Sequence, residues 1–206
     1  MKTSMTSNLR PLLCAFYPFL IAFAALCAVP RSAHAQLYVS QLIRGIVSEY
    51  NATTGDVINA KLITKLNRPF GLAVKGNRLL VVNEAAGIVG KYDATTGAVI
   101  SASFIMKLFS FLPTGLALSG NTLFVVNRAN DTIGKYNATT AEAINANFIT
   151  ELDAPFALAV QDHTLFVTNV GNGTVGKYDA TTGDVIDAKF ITGLDAPVGI
   201  AVESPK

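Results

Sequence analysis

The fold is decided by the segment 165–202, which reads LFVTNVGNGTVGKYDATTGDVIDAKFITGLDAPVGIAV. Its first stretch, 165–169, is apolar and β-branched, and a turn rich in glycine and asparagine follows it. Three further apolar stretches, at 174–178, 185–192 and 199–202, are separated by aspartate, threonine, glycine and proline. Short apolar runs between such turn residues are typical of β-strands. The segment therefore predicts four short antiparallel strands.

The same phrase recurs along most of the chain. A tyrosine followed by Asn or Asp, then Ala, Thr and Thr, occurs at Tyr50, Tyr92, Tyr136 and Tyr178. These define repeats of about 42 residues, which run over 37–78, 79–122, 123–164 and 165–206. A period of this length indicates stacked structural units. The run Leu123–Val126 is apolar on both faces of its strand, as expected of a sheet packed between two neighbours. We therefore predict an all-β β-propeller with four blades of four antiparallel strands.

Three segments carry a family resemblance. PFGLAV (69–74), LLVVN (79–83) and IVGKYD (88–93) resemble NHL-type propeller repeats and the tandem-repeat propellers of exported bacterial proteins. The resemblance covers 37–206 and implies a β-propeller. It implies no single activity, because NHL-like blades occur in protein-binding modules, RNA-binding modules and lactonase-type enzymes.

The N-terminus has the three parts of an export signal. The first ten residues carry two basic and no acidic side chains, 11–29 is nearly all apolar, and Ala33 and Ala35 occupy the A-x-A positions. This arrangement predicts a secretory signal peptide over 1–35 that is cleaved after Ala35. The alternative is an uncleaved anchor helix. With cleavage, the propeller domain is 36–206, and the protein is secreted or periplasmic and free of the membrane.

Composition narrows the function further. Of the 206 residues, 50% are hydrophobic and 15% are charged, which excludes a disordered, charge-rich chain. The net charge of +2 falls to −1 once the three basic residues of the signal segment are removed, so nothing favours a nucleic-acid partner. Both cysteines, Cys14 and Cys27, lie in that segment. The mature chain is therefore predicted to have no thiol chemistry, disulfide or cysteine-ligated metal. No cofactor is predicted either.

The repeated asparagines are the first candidate site. Asn83, Asn127 and Asn169 end the first strand of three repeats, and Gln41 takes this place in the first repeat. If these strand ends meet at one rim, they form a ring of carboxamides for a polar ligand or a cation. The alternative is that each amide caps its own turn, as asparagine often does.

Departures from the repeat are the second kind of candidate. In the loop after the first strand, Glu84 and Arg128 replace one another at equivalent positions, and loops on a rigid scaffold commonly carry binding specificity. The insertion at 109–112 adds two phenylalanines. Lysines recur before the tyrosine, at Lys91, Lys135 and Lys177, either as an anion-binding ring or as solvated side chains that discourage edge pairing.

The pattern favours an exported, non-enzymatic β-propeller that acts as a scaffold for an unknown protein or polysaccharide. No catalytic set or metal-ligand motif is recognisable. One alternative is a small metal-dependent hydrolase of the NHL or lactonase type. Its expected inner strands, 71–74, 115–118, 157–160 and 199–202, contain no carboxylate, although hard cations prefer charged oxygen ligands. The other alternative is a truncated relic of a longer repeat protein.

The ends of the repeat array predict how the propeller closes. The first repeat begins at the second strand of a blade, and 199–202 is the inner strand that this blade lacks. We expect 199–202 to return as a clasp that closes the chain as a monomer and hides an exposed edge. The alternatives are an eight-bladed homodimer and an open arc.

Overall fold

The computed structural model describes residues 35–108 and 112–203. The predicted signal peptide, up to residue 34, and most of the 109–112 insertion lie outside the described residues. Within them, the strands are β1 (Gln36–Gln41), β2 (Ile46–Asn51), β3 (Val57–Ile63), β4 (Pro69–Lys75), β5 (Arg78–Asn83), β6 (Ile88–Asp93), β7 (Val99–Ile105), β8 (Pro113–Ser119), β9 (Thr122–Asn127), β10 (Thr132–Asn137), β11 (Ala143–Ile149), β12 (Pro155–Gln161), β13 (Thr164–Asn169), β14 (Thr174–Asp179) and β15 (Val185–Ile191). Two 3₁₀ turns, Glu84–Ala86 and Arg128–Asn130, complete the regular structure of this part of the chain.

The strands form four antiparallel sheets in chain order, which we call the first to fourth blades. The first blade is β1-β2-β3, and the others are β4 to β7, β8 to β11 and β12 to β15. The last strand of each sequence repeat therefore belongs to the following blade: β4 pairs with β5, with Leu72 opposite Val81. Four strands per blade are confirmed for three blades, whereas the first blade has three.

The Tyr-Asn/Asp-Ala-Thr-Thr phrase forms the hairpin between the third and outer strands. In the second blade, the Asp93 Oδ1 accepts hydrogen bonds of 2.9 Å from the backbone N–H groups of Thr95 and Thr96. The Gly97 N–H donates to the Asp93 carbonyl (2.9 Å) from a left-handed backbone conformation, at φ +71°. A short acidic or amide side chain and a residue tolerant of positive φ are what this turn requires.

The hydrophobic core lies between blades. Leu62 and Ile63 at the end of β3 cluster with Leu79, Val81 and Tyr92 of the second blade. Equivalent clusters join the second blade to the third and the third to the fourth. The double-sided burial predicted for Leu123–Val126 is confirmed, because all four side chains are almost fully buried.

Small residues allow the inner strands β4, β8 and β12 to lie close together. A Cβ added to Gly71 would lie 2.5 Å from the Thr114 carbonyl oxygen of β8, and one added to Gly115 would lie 3.0 Å from the Phe156 carbonyl oxygen of β12. Glycine is needed here for close backbone approach.

The predicted clasp is wrong for this structure. Residues 199–202 form no strand, and β1 pairs only with β2 within the described residues. The Gln161 side chain instead donates a hydrogen bond of 2.9 Å to the Glu203 carbonyl oxygen, which holds the segment beside β12. The side chains of β15 and the edge of β1 remain exposed, so the two ends of the row do not meet. Among the described residues, no helix has the length and apolar character needed to cross a membrane.

Candidate functional site

The predicted carboxamide ring does not form, because the three asparagines are buried inside their own blades. Asn127 is fully buried, and its Nδ2 donates to the Thr132 Oγ1 at 3.4 Å. Asn169 makes the same bond to Thr174 at 3.2 Å. Asn83 is also buried. The Asn127 and Asn169 amides therefore bond to the start of the next strand within their own blade. The alternative interpretation expected each amide to cap its own turn, but neither Asn83 nor Asn127 caps the 3₁₀ turn that follows it with its side chain.

Each asparagine also meets the repeated tyrosine of its blade. The side chains of Asn83, Asn127 and Asn169 form hydrogen bonds with those of Tyr92, Tyr136 and Tyr178. Burial raises the pKa of each tyrosine, and the hydrogen bond from the amide offsets part of that rise. In the sequence, each of these asparagines lies nine residues before its tyrosine. This constant spacing indicates the pairing, which the sequence analysis did not predict.

Glu84 and Arg128, predicted to bind ligand, are each engaged with a neighbouring loop or strand. Glu84 is buried, and its carboxylate accepts an ion-pair contact of 2.7 Å from the half-exposed Arg68. The Arg128 guanidinium lies 5.5 Å from the ring centroid of Phe156 on β12. Since they lie in different blades with separate partners, the structure does not bring them together into one site.

The repeated lysines connect neighbouring blades. The Lys135 Nζ donates to the carbonyl oxygens of Ala180 (3.0 Å) and Thr181 (2.8 Å) in the turn of the next blade. It also lies 4.4 Å from the centroid of Phe148. Lys91 makes longer contacts of 3.4 Å with Ala138 and Thr139. Lys91 and Lys135 therefore neither form an anion-binding ring nor act as solvated side chains that discourage pairing at a sheet edge.

One groove collects basic side chains that sequence analysis missed. It lies between the second and third blades, has a volume of about 200 Å³, and is lined by Lys75, Arg78, Leu80, Lys91, Ala138 and Thr139. Burial lowers the pKa of Lys91, and the charges of Arg78 and then Lys75 lower it further. Arg78 and Lys75 therefore each lie close enough to Lys91 to disfavour its charge. The Lys75 Nζ itself donates hydrogen bonds to the Gly120 carbonyl oxygen (2.7 Å) and the Asn121 Oδ1 (3.1 Å) of the third blade.

The Asp93 carboxylate, which lies near this groove, makes most of its hydrogen bonds to groups other than the three cations. Asp93 lies 3.9 Å from the Arg78 guanidinium, a long ion pair. Its oxygens accept hydrogen bonds from the Asn77 amide (2.6 Å) and from the turn that follows it. An excess of positive charge remains at the groove, which suits an anionic group of a ligand. Elsewhere in the described chain, no group of three His, Cys, Asp or Glu side chains is arranged to hold a metal ion.

Comparison with known proteins supports the fold. The chain matches no protein-family model and no curated protein sequence. Among solved structures, it is similar to the computationally designed Ika8 protein, with 17% identity and a TM-score of 0.57 over 82% of this chain and 50% of that chain. It is also similar to a streptogramin B lyase, with 18% identity and a TM-score of 0.64 over 80% and 54% of the two chains. The fold is a β-propeller.

A third similar structure is the virginiamycin B lyase from Staphylococcus aureus in complex with quinupristin. The identity is 18% and the TM-score 0.61, over 82% of this propeller and 56% of the lyase. At this level of identity the likeness shows the fold alone. The propeller spans about half the length of these three solved proteins.

Proposed function

We propose that the protein is an exported, non-enzymatic β-propeller scaffold that binds a carboxylate-bearing protein or polysaccharide outside the cytoplasm. The observation that carries the proposal is the convergence of Lys75, Arg78 and Lys91 on the groove between the second and third blades. Cationic side chains on a rigid scaffold bind anionic groups without chemistry on the ligand.

The groove is specific to one pair of blades. The position of Lys75 is taken by Ser119 in the third blade and by Gln161 in the fourth, and the position of Arg78 by threonine in both. A residue type that the blade itself needed would recur in all of them, as the glycines and tyrosines do. This break in the repeat supports a role for the groove in binding.

The metal-dependent hydrolase receives no support from the asparagines on which it rested. The three side chains are buried within separate blades, and the Nδ2 groups of Asn127 and Asn169 donate to threonines of the same blade. Burial in separate blades keeps them from forming one cation site, although the Asn83 and Asn127 Oδ1 atoms accept no hydrogen bond among the described residues. We also propose that the blades are of the NHL type, on the resemblance of 69–74, 79–83 and 88–93 to NHL repeats.

Binding is tested with two carboxylate polymers, polygalacturonate and poly-glutamate, and neutral dextran as the blank. Replacing Lys75 and Arg78 together by glutamine should weaken binding roughly tenfold to a hundredfold, because two charge-assisted contacts are lost. The matched control replaces Lys107 and Lys189, exposed lysines outside the groove, and should bind like the wild type. Preference for one polymer separates a polysaccharide from a protein ligand. Equal losses in both variants would contradict a specific groove.

Export is tested separately by expressing the complete sequence and fractionating the cells. We expect the protein outside the cytoplasm, with Gln36 as its first residue, because Ala33 and Ala35 fit the peptidase site. An intact N-terminus in the cytoplasmic fraction would refute this part of the proposal and leave the binding experiment unaffected.

A further inference from the structure

The face of the fourth blade that points away from the third carries apolar side chains that are covered in the other blades. Ile191 is 42% exposed, whereas its counterpart Ile149 in the third blade is 3% exposed. Leu194 is 39% exposed against 8% for its counterpart Leu152. The Leu194 N–H still donates to the Gly173 carbonyl at 2.9 Å, as Leu108 does to Gly87 at the same distance. The backbone is therefore in its usual place, and the greater exposure arises because no blade among the described residues covers this face.

The opposite face of the first blade shows the complementary pattern. Leu37 is 50% exposed, whereas its counterpart Leu79 is completely buried against the preceding blade. A Cβ on Gly97 would collide with the Leu62 carbonyl of the preceding blade, but one on the equivalent Gly55 meets nothing within 4 Å. The first blade thus presents the surface that receives a preceding blade, and the fourth presents the surface that a following blade covers.

The missing strand lies at the same junction. β1 is an open edge, and the segment 197–203 occupies the place of the next inner strand without a partner of its own. The bond from Gln161 to the Glu203 carbonyl parallels the one from Lys75 to the Gly120 carbonyl (2.7 Å), which joins the second and third blades. An added Cβ at Gly199 meets nothing within 4 Å, whereas one at the equivalent Gly71 would touch the next blade.

The net charges of the first and fourth blades have opposite signs, which favours contact between them. The first blade with its following loop (36–68) has four basic and two acidic residues, a net charge of +2, while the fourth (155–196) has two basic and five acidic residues, a net charge of −3. Asn67 and Ala86 line the same cleft between the first and second blades, and their equivalents at the two ends of the row are Asp195 and Arg44. A fourth blade seated against a first blade would therefore bring a carboxylate and a guanidinium together.

We propose that a second copy of this chain docks head to tail, so that two copies close into a ring of eight blades. Each copy supplies 197–203 as the inner strand of the other's first blade. The register of β4 on β5 predicts that Ile200 lies opposite Val39 of the second copy, and Val202 opposite Leu37. In such a dimer a two-fold axis relates the copies, and each of the two equivalent junctions joins the fourth blade of one copy to the first blade of the other.

The oligomeric state provides the first test. Light scattering of the protein should give twice the mass of one chain, falling to a single mass on dilution. Leu194→Asp should abolish the dimer, because it places a charge in the apolar contact. Val185→Asp is the matched control: Val185 is 62% exposed on the same blade, and its counterparts Val57 and Val99 stay exposed beside a neighbour. A wild type that stays monomeric at every concentration, or equal loss in both variants, would overturn the proposal.

A charge reversal tests the orientation of the two copies. Arg44→Glu should weaken the dimer at least tenfold, and adding Asp195→Arg to the same chain should restore most of the affinity. If the second change gives no recovery, or weakens the dimer further, the two residues do not meet and the proposed seating is wrong.

A cysteine pair tests the predicted strand exchange directly. The full chain, with Cys14 and Cys27 replaced by serine, receives Val39→Cys and Ile200→Cys, and mild oxidation follows. Opposed residues on neighbouring strands are within disulfide range. We expect a covalent dimer on a non-reducing gel, with monomer from either single variant. An internally linked monomer would indicate the clasp, and a ladder of higher species would indicate open filaments; either result overturns the ring.

Discussion

At the scale of single residues, the pairing of asparagine with tyrosine determines how each blade is braced. The amide at the end of one strand reaches the hydroxyl of the tyrosine nine residues later, and the tyrosine ring covers a glycine two positions before it. A Cβ on Gly134 would lie 2.5 Å from the Tyr136 ring, so the ring and the glycine are matched. In the first blade, the Gln41 amide donates to the Ser48 Oγ at 2.7 Å instead.

Asn127→Ala should lower the free energy of unfolding by about 1–3 kcal/mol, because it removes the hydrogen bonds that the buried amide makes with Thr132 and Tyr136. Urea denaturation measures the change. Asn67→Ala, at an exposed loop position, is the control and should stay within about 0.5 kcal/mol of the wild type. A similar effect of both substitutions would argue against a bracing role.

Stability should fall in alkaline solution because of the buried tyrosines. Burial raises the pKa of Tyr92, Tyr136 and Tyr178 in the folded state, so the unfolded chain ionises first. Their contribution is complete below the ordinary tyrosine pKa of about 10 and is lost as the pH rises through the folded-state value.

Tyr136→Phe should make this decline shallower when the free energy of unfolding is measured between about pH 9 and 11. Burial lowers the pKa of Lys91 and Lys135, but both titrate in the two proteins and cancel from the difference. Identical slopes for the variant and the wild type would show that Tyr136 does not titrate differently in the two states.

Sequence analysis located the repeated asparagines but left two roles open for them, a ligand-binding ring and a turn cap, and there is a physical reason for this. Spacing along a strand gives no information on whether an end residue points to a rim or into the next blade. The basic groove was missed because Lys75 and Arg78 lie in one hairpin and Lys91 follows on another strand. The mature net charge of −1 also conceals a local excess of cations.

At the scale of elements, strands with local turn signals were predicted well. The expected strands at 165–169, 174–178 and 185–192 correspond to Thr164–Asn169, Thr174–Asp179 and Val185–Ile191. The strand at 199–202 failed, since an inner strand exists only when the next strand pairs with it. Hydrogen bonds between strands are a property of the neighbour as much as of the segment.

Close approach of the inner strands makes Gly71 sensitive to a single methyl group. Gly71→Ala should reduce the free energy of unfolding by about 1–3 kcal/mol, because the new Cβ would press on the backbone of Thr114 and Leu116, which cannot rotate away. Thermal or urea unfolding measures it. Gly199→Ala, with open space around it, is the control at concentrations where the chain is monomeric. Equal destabilisation by both would show that crowding is not the cause.

At the scale of the whole molecule, substitutions of two equivalent lysines, Lys135 and Lys177, distinguish the stability of a single chain from the stability of the proposed ring. Lys135→Met removes hydrogen bonds to the fourth blade and should destabilise the single chain by about 1–3 kcal/mol. Lys177 occupies the same position in the fourth blade, 5.3 Å from the Phe190 centroid, beside the exposed end. Under the ring proposal, Lys177→Met destabilises the isolated chain less than Lys135→Met does, because it loses no hydrogen bond to a following blade, and it raises the dimer dissociation constant about tenfold. Unfolding at low concentration and sedimentation at high concentration make the comparison, and an unchanged dissociation constant would count against the ring.

The exposed apolar end of the fourth blade has a consequence for polymerisation. A contact between unlike faces has no built-in limit, so every added copy offers the same free end to another. Under the ring proposal, however, the remaining ends of two joined copies lie in the same complex, and ring closure is governed by their effective concentration instead of the bulk concentration. Rings should therefore outcompete linear polymers in dilute solution, and fibres should appear only as the protein concentration approaches that value. A substitution that alters the angle between blades would change the protein concentration at which linear polymers replace rings, even if the contact between copies stayed the same.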